Sequence, residues 1–180
     1  RSHNIPGLKR IDMPFNFDFE SNPERVVHFF SYLNKLIYID RTKSIIMNFK
    51  KMNSISIDSI MYLLAIMKNN EDNVNFGGNY PQNEDTCSIL FDSGFLDYVH
   101  SKTTRIVPKN LEKIRIKVLN DADNSFKVFV QIINWIIKSF GIKRKDLQFL
   151  YIMLSELMTN TLEHAYNEVE DSNIKNYWFI

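Results

Sequence analysis

Three polar residues of different types follow one another at steps of four near the end of the chain. They are Glu156, Asn160 and His164, within the stretch "LSELMTNTLEHAYNE". Positions four apart on a helix drift by only about 40°, so the three share one helix face over roughly 12 Å. A carboxylate can orient a water molecule, and an amide oxygen can bind a hard cation such as Mg²⁺. The spacing alone favours an ordinary solvated helix surface, so the residues around it must decide.

The helix that carries these residues is predicted to run from Lys143 to about Asn167. Its opposite side is expected to enter the core through six apolar residues: Leu150, Met153, Leu154, Leu157, Met158 and Leu162. The preceding stretch "DNSFKVFVQIINWIIKSFG" predicts another helix, with Asp123 or Asn124 as its cap and Gly141 as its stop. Its apolar residues extend well beyond one stripe, which predicts a helix covered on two sides, within a core or at a subunit interface. Before it, "EKIRIKVLND" alternates as a half-exposed strand does.

The segment "SELMTNTLEHAY" resembles the first conserved box of the histidine-kinase-like (GHKL-type) ATPase fold. That fold is shared by sensor histidine kinases, gyrase-type topoisomerases and mismatch-repair ATPases, and the segment is most similar to the anti-sigma-factor serine kinases. The matching residues are Glu156, Asn160, His164, Ala165 and Tyr166. The resemblance implies that Glu156 polarises the attacking water or hydroxyl, that Asn160 holds the Mg²⁺ bridging the ATP phosphates, and that His164 lies near the phosphate end. It covers residues 110–180.

The sequence departs from that family in its glycines. The family holds adenine through an Asp-x-Gly-x-Gly box and the phosphates through a glycine-rich lid, both downstream of the helix. Neither occurs here, and the five glycines of the chain are Gly7, Gly77, Gly78, Gly94 and Gly141. After the helix, "NIKNYWFI" is predicted to be a strand. We therefore expect either a piece of a longer ATPase that binds ATP weakly by itself, or a remnant whose nucleotide function is lost.

The first half of the chain alternates predicted strands and helices, which is typical of an α/β layer. "KSIIMNFK" and "NVNFGG" predict strands, and "SIDSIMYLLAIMKNN" and "DTCSILFDSGFLDYV" predict helices. An earlier helix is predicted from "NPERVVHFFSYLNKLI", with Asn22 as a cap candidate and Pro23 in its first turn. The boundary to the second half is placed between His100 and Asn110, giving domains at residues 11–105 and 110–180.

The region from Lys43 to His100 is similar to the STAS-type fold of anti-sigma-factor antagonists. The similarity rests on "SIIMNFKKMNSISIDSIMYLLAIMKN" followed by "NFGGNYPQNEDTCSILFDSGFLDYV". In the antagonists a phosphoacceptor serine follows an aspartate at the start of the first helix. Alignment places Ser56 on that aspartate and Ile57, which has no hydroxyl group, on the acceptor. Three serines near this helix start are instead expected to be caps and surface residues: Ser54, Ser56 and Ser59.

Composition narrows the classes of partner. The 180 residues carry 22 basic and 21 acidic side chains, and their net charge of +1 does not indicate a nucleic-acid or membrane partner. Cys87 is the single cysteine, which fits a reducing compartment and rules out an intramolecular disulfide framework. No apolar run approaches the ~20 residues that span a bilayer, so we expect a cytoplasmic protein. Residues 77–81, "GGNYP", lack the Lys-Ser/Thr ending of a phosphate loop and predict a turn.

Two functional hypotheses follow from these patterns. The first is an ATP-binding regulatory protein in which a Mg-ATP-dependent ATPase or serine/threonine kinase domain is coupled to a STAS-like interaction domain. The second is a non-catalytic protein–protein interaction module with a relic ATPase helix. Both predict a protein partner, with a homodimer as one option, and both predict an α/β fold of two modules.

Overall fold

The structure is a computed structural model, and it describes residues 7–99, 118–119, 122–164 and 178–179. The chain divides into two compact units, Arg1–Ile116 and Lys117–Ile180. The predicted boundary between His100 and Asn110 lies outside the described residues. The fold is mixed α/β with parallel strand pairing, so the coarse class predicted from the sequence is confirmed. No helix in the described part of the chain is long and apolar enough to cross a membrane.

The first unit alternates strands and helices. Its described elements are β1 (Leu8–Asp12), β2 (Asn16–Phe17), α1 (Pro23–Asn34), a π-helical turn (Lys35–Ile39), β3 (Ser44–Asn48), β4 (Ser54–Ile55), α2 (Ile57–Asn69), β5 (Asn75–Gly78), α3 (Glu84–Ser93) and α4 (Leu96–Val99). Strands β1, β3 and β5 form a parallel sheet in that order, and β2 pairs with β4 in a second parallel ladder. Helices α1 and α2 lie in the crossovers that parallel strands require.

The sheet buries one of its faces. On the central strand β3, Ile45 and Met47 are buried while Ile46 is half-buried, as expected for side chains that alternate between faces. Ile11 pairs with Met47 across β1 and is also buried. Because β1 carries Lys9 and other charged residues, its alternation is weak, and the sequence did not predict it as a strand. Charged residues on an edge strand also discourage pairing with other chains.

An aromatic cluster joins the two crossover helices. The Phe30 ring of α1 lies 4.5 Å from the Tyr62 ring of α2, measured between centroids. Phe17 packs against Phe29 and Phe30 with centroid separations of 5.4 Å in each case. Edge-on and tilted ring pairs of this kind are favoured by the charge distribution of the rings. Val26, Phe29, Phe30 and Leu33 of α1 are buried, so this side of the helix is part of the core.

One predicted helix end in the first unit differs from the structure, and one predicted cap residue makes no capping bond. The stretch predicted as one helix after β5 ends at Ser93, because Gly94 adopts a left-handed conformation with φ of 86°, and a short helix, α4, follows. Asn22 does precede α1, but its side chain makes no capping bond there. It donates instead to the Asn16 carbonyl at 2.8 Å, so it fastens the helix start to β2.

The second unit is built on a helix pair. Its described elements are β6 (Val118–Leu119), α5 (Ala122–Phe140), a 3₁₀ turn (Arg144–Leu147), α6 (Gln148–His164) and β7 (Trp178–Phe179). Strands β6 and β7 pair antiparallel. Between α5 and α6, Phe129, Ile133 and Leu147 are buried, and five half-buried side chains pack against them: Ile136, Ile137, Ile142, Leu150 and Leu154.

The ends of α5 confirm one prediction and correct another. The helix stops at Phe140, and Gly141 follows with φ of 65°, so the predicted glycine stop is confirmed. The helix begins by Ala122, so the proposed caps Asp123 and Asn124 lie inside it. Aspartate and asparagine both occur within first helical turns. The negative charge of an aspartate there also interacts favourably with the positive end of the helix dipole.

Candidate functional site

Helix α6 is held against α5 at its beginning and along one side. The 3₁₀ turn before it is closed by a hydrogen bond from the Asp146 N–H to the Lys143 carbonyl, at 2.9 Å. Leu147 is buried at the end of this turn and fixes the direction of the helix. Leu150 and Leu154, one turn apart, continue the contact with the core of the second unit. The packed side of α6 is therefore the side of these leucines.

Glu156 and Asn160 lie away from that packed side. At about 100° per residue, Glu156 is separated from Leu154 by about 160° and Asn160 by about 120° around the helix axis. Both side chains are exposed, and neither makes a hydrogen bond or ion pair with another described residue. His164 is the last residue of α6, and its side chain lies outside the described part of the chain. Two of the three predicted site residues thus present polar groups, one helical turn apart, that have no partner among the described residues.

The surroundings of Glu156 and Asn160 are apolar and exposed. Phe149 exposes 77% of its surface, Leu157 exposes 56% and Met153 exposes 43%. Helical geometry places these side chains and Ile152 in the same arc as the two polar residues. Met153 and Leu157 were predicted to enter the core, and that prediction is wrong because both side chains are exposed, whereas Leu150 and Leu154 pack against the described core of the second unit.

This mixture is unusual for a solvated helix face. A solvent-facing stripe normally carries charged and polar residues, and a contiguous apolar patch on a protein surface commonly marks a binding or interaction site. Glu156 and Asn160 therefore lie within a surface whose apolar side chains would be stabilised by burial against another layer or molecule. The spacing of Phe149, Met153 and Leu157 at steps of four was visible in the sequence, but the choice of which stripe packs on α5 was not.

The side-chain oxygens of Glu156 and Asn160 are suited to a cation that is bound to nucleotide phosphates. Within the described ranges, no group of three His, Cys, Asp or Glu side chains could hold a metal ion. Mg²⁺ needs no such cluster, because it keeps several waters and commonly takes one or two protein ligands together with substrate phosphates. The exposed amide of Asn160 fits that requirement, and the Glu156 carboxylate lies one turn away. The 180 residues contain no glycine box of the kind that contacts adenine or the phosphates in that family.

A separate groove of about 490 Å³ lies on another side of the helix pair. Its walls include Ile133 on α5, Arg144 and Lys145 in the 3₁₀ turn, and Tyr151 on α6. Glu156 and Asn160 do not border it. Both basic residues are exposed.

Ser155, next to Glu156, carries a buried hydroxyl oxygen that has no hydrogen-bond partner in the described part of the chain. An unsatisfied hydroxyl within a helix costs on the order of 1–3 kcal/mol when it is shielded from water.

The structure also shows the surroundings of the residues that the resemblance to the STAS-type fold singled out. Ser56 precedes α2, but its hydroxyl bonds to the Ser59 hydroxyl at 3.0 Å and caps no backbone group. Ser59 is fully buried, so the prediction that it is a surface residue is wrong. Ser54 bonds to the Asn16 side chain at 3.1 Å. Ile57, at the aligned acceptor position, is exposed and offers no hydroxyl.

No protein-family model, no curated protein and no solved structure matches this chain.

Proposed function

We propose that this chain carries part of a Mg-ATP site in a regulatory protein, with α6 as one wall. The observation that carries the proposal is the pair Glu156 and Asn160, exposed, unpaired with other described residues and one turn apart on the side of α6 turned away from α5. The resemblance of "SELMTNTLEHAY" to the first box of histidine-kinase-like ATPases gives this pair its proposed chemistry. The STAS-like comparison gives the first unit the role of contacting a protein partner.

Each residue has a distinct proposed role. Asn160 would supply an amide oxygen to Mg²⁺, which neutralises charge on the phosphates when it is bound. Glu156 would accept a hydrogen bond from the attacking water or hydroxyl and hold it in line with the terminal phosphate. His164, one further turn along α6, would lie near the phosphate end. A serine or threonine kinase differs from an ATPase here in whether a partner hydroxyl or a water takes the position beside Glu156.

Isothermal titration with Mg-ATP tests the proposal. We expect weak or no binding by the 180-residue chain and measurable binding by the product of the complete gene, because adenine and phosphate contacts must be supplied by other residues. In that gene product, Asn160→Ala should weaken binding in the presence of Mg²⁺ more than in its absence. Glu156→Gln should leave most of the binding and lower turnover at least about 100-fold, as for loss of a positioned general base.

Gln148→Ala provides the matched control. Gln148 is exposed on the same helix but borders the separate groove of the second unit, so its removal should change neither binding nor turnover. Equal binding and turnover in the parent, Glu156→Gln and Asn160→Ala proteins would refute the assignment.

The second candidate function is a non-catalytic interaction module. The exposed apolar residues of α6, led by Phe149, favour it, because a protein surface could cover them without any nucleotide. In that case Mg-ATP should bind neither the chain nor the complete gene product, while Phe149→Ser should weaken the protein contact. The same titration therefore separates the two functions.

A further inference from the structure

A cleft of about 620 Å³ lies in the first unit, between the end of β1 and the first three turns of α1. Its volume falls in the range of small-molecule sites. Three residues of α1 border it at steps of four: Glu24, His28 and Tyr32. That spacing places them on one face of the helix. Across from them the cleft is bordered by Asp12, the last residue of β1, and by Phe15.

Asp12 is held in place by the neighbouring strand. The Asn48 side-chain amide, at the end of β3, donates to Asp12 Oδ1 at 2.6 Å. Asn48 is itself fixed, because its Oδ1 accepts from the Asn79 amide at 2.7 Å and from the Lys50 N–H at 3.3 Å. The amide of Asn79 is oriented in turn by the Phe49 N–H, 2.6 Å from Asn79 Oδ1. A carboxylate at the cleft is thus pre-positioned by a chain of hydrogen bonds across the ends of three parallel strands.

The second carboxylate at the cleft belongs to Glu24. Glu24 makes no ion pair or side-chain hydrogen bond with another described residue. Arg25 also borders the cleft, so with His28 counted as neutral the wall carries two negative charges and one positive. The excess negative charge favours a cationic ligand over an anionic one.

Aromatic rings complete the walls. Phe15 exposes 60% of its surface and Tyr32 exposes 44%, while Phe29 is buried beneath the cleft. An exposed phenylalanine beside carboxylates is unfavourable as a solvated surface, but aromatic faces attract ammonium and guanidinium groups. The aromatic faces beside the two carboxylates therefore suit an organic cation.

From this arrangement we propose that the cleft binds an alkyl-guanidinium or alkylammonium group. Asp12 and Glu24 take the charge, and the aromatic side chains receive the alkyl chain and the face of the cation. The group could belong to a free small molecule or to an arginine or lysine side chain of a polypeptide, because both present the same chemistry.

The test is a two-dimensional NMR titration of the isotope-labelled chain with butylguanidinium and, separately, with butylurea. The two probes have nearly the same shape, but only the first is charged. We expect saturable shifts for butylguanidinium at the amides of Phe15, Glu24 and His28. Affinity should be at least about fivefold weaker for butylurea, and should fall as salt is added because the carboxylates are accessible to solvent.

Two variants remove charge without removing shape. Asp12→Asn keeps an oxygen for the Asn48 bond, and Glu24→Gln changes a side chain that has no partner among the described residues. Each should weaken butylguanidinium at least about threefold, the range of a partly exposed charge pair. Glu20→Gln is the matched control, because Glu20 is exposed just before α1 and does not border the cleft. Phe15→Leu should also weaken binding while leaving the core intact.

Three results would overturn the cation site: no saturable binding of butylguanidinium, equal affinity for butylurea, or unchanged affinity in both charge variants. The source of the cation is decided by a blocked Gly-Arg-Gly peptide. Tighter binding of the peptide than of butylguanidinium identifies a polypeptide side chain, and equal or weaker binding identifies a free small cation. Either result upholds the site.

Discussion

The two units of this protein differ in how they cover their apolar side chains. In the first, two crossover helices and a parallel sheet enclose a core in which Phe17, Leu33 and Ile45 have no exposed surface. In the described part of the second, a helix pair buries Phe129 and a few neighbours between its members, and α6 keeps a second apolar face exposed. Two helices can shield only the sides they share, so a further layer is needed to cover the other sides.

That difference affects what each candidate site needs. The cleft beside Asp12 stands on a sheet whose strands are already paired and hydrogen-bonded at their ends. Glu156 and Asn160 stand on a helix face with no described covering layer. We therefore expect the cleft to be functional in this chain as it is, whereas the proposed nucleotide site needs groups that the described residues do not supply.

The largest expected effect comes from one chemical change made in both units, Leu33→Ala and Leu157→Ala. Leu33 is fully buried in α1, so its truncation should destabilise the first unit by about 2–5 kcal/mol. Leu157 exposes 56% of its surface, so its truncation should cost less than about 0.5 kcal/mol.

The measurement uses probes that belong to each unit. Both tryptophans, Trp135 and Trp178, lie in the second unit, so their fluorescence during urea unfolding follows that unit. Hydrogen exchange of the α1 amides follows the first. Similar losses of stability in the two variants would show that the face around Leu157 is covered after all.

The next prediction compares Gly78 and Gly141, where glycine is required for different structural reasons. A Cβ on Gly78 would lie 2.8 Å from the Met47 carbonyl oxygen, which is backbone and cannot move aside cheaply. Gly78→Ala should therefore destabilise the first unit by about 1–3 kcal/mol. Gly141 has open space around it and a φ of 65°, so Gly141→Ala should cost about 1–2 kcal/mol through backbone strain alone. Gly141→Asn, which tolerates that backbone conformation, should recover part of the loss, whereas Gly78→Asn should recover none.

Elements with strong periodicity were predictable from the sequence. Strand β3 and helices α1, α2, α5 and α6 lie close to where their apolar patterns indicated, because each buries one stripe or run of apolar side chains. Strand β1 was missed, since its "LKRID" buries Ile11 and leaves charged residues exposed at the sheet edge. Its position follows from pairing with β3, which is a long-range contact that no local pattern encodes.

The two candidate sites also differ in how far they could be predicted from the sequence. Glu156 and Asn160 could be placed on one helix face by spacing alone, because helical geometry is local. Which face of α6 meets α5 depends on the shape of the partner helix, so the exposure of Met153 and Leu157 was not predictable. The cleft beside Asp12 was missed altogether, because it is assembled from β1 and α1, and a strand that is not recognised cannot contribute a wall.

A smaller effect is expected at two asparagines that precede helices. Asn83 caps α3 by accepting the Thr86 N–H at 2.9 Å, so Asn83→Ala should cost about 1 kcal/mol. Asn83→Asp should retain most of the stability, because the aspartate side chain also accepts at this position.

Asn22 makes no capping bond, and its contact is a donation to the Asn16 carbonyl. Asn22→Asp should therefore be destabilising, since it removes the donor, and chemical denaturation of the four proteins would expose the contrast. Equal effects of the two Asp substitutions would contradict the assigned bonds.

The smallest effect on stability is expected at Phe149, where the effect on surface properties should be the largest. Phe149 exposes 77% of its surface, so Phe149→Ser should change the free energy of unfolding by less than about 0.5 kcal/mol. It removes the most exposed apolar side chain of the face that surrounds Glu156 and Asn160. Fluorescence of a dye that binds exposed apolar surface should therefore fall, and sedimentation at rising concentration should show less self-association if that face joins two copies. Val27→Ser is the matched control, because Val27 is also exposed but lies on α1 of the first unit. A loss of stability greater than about 1 kcal/mol for Phe149→Ser would mean that the ring is packed, which would contradict its place on an uncovered face of α6.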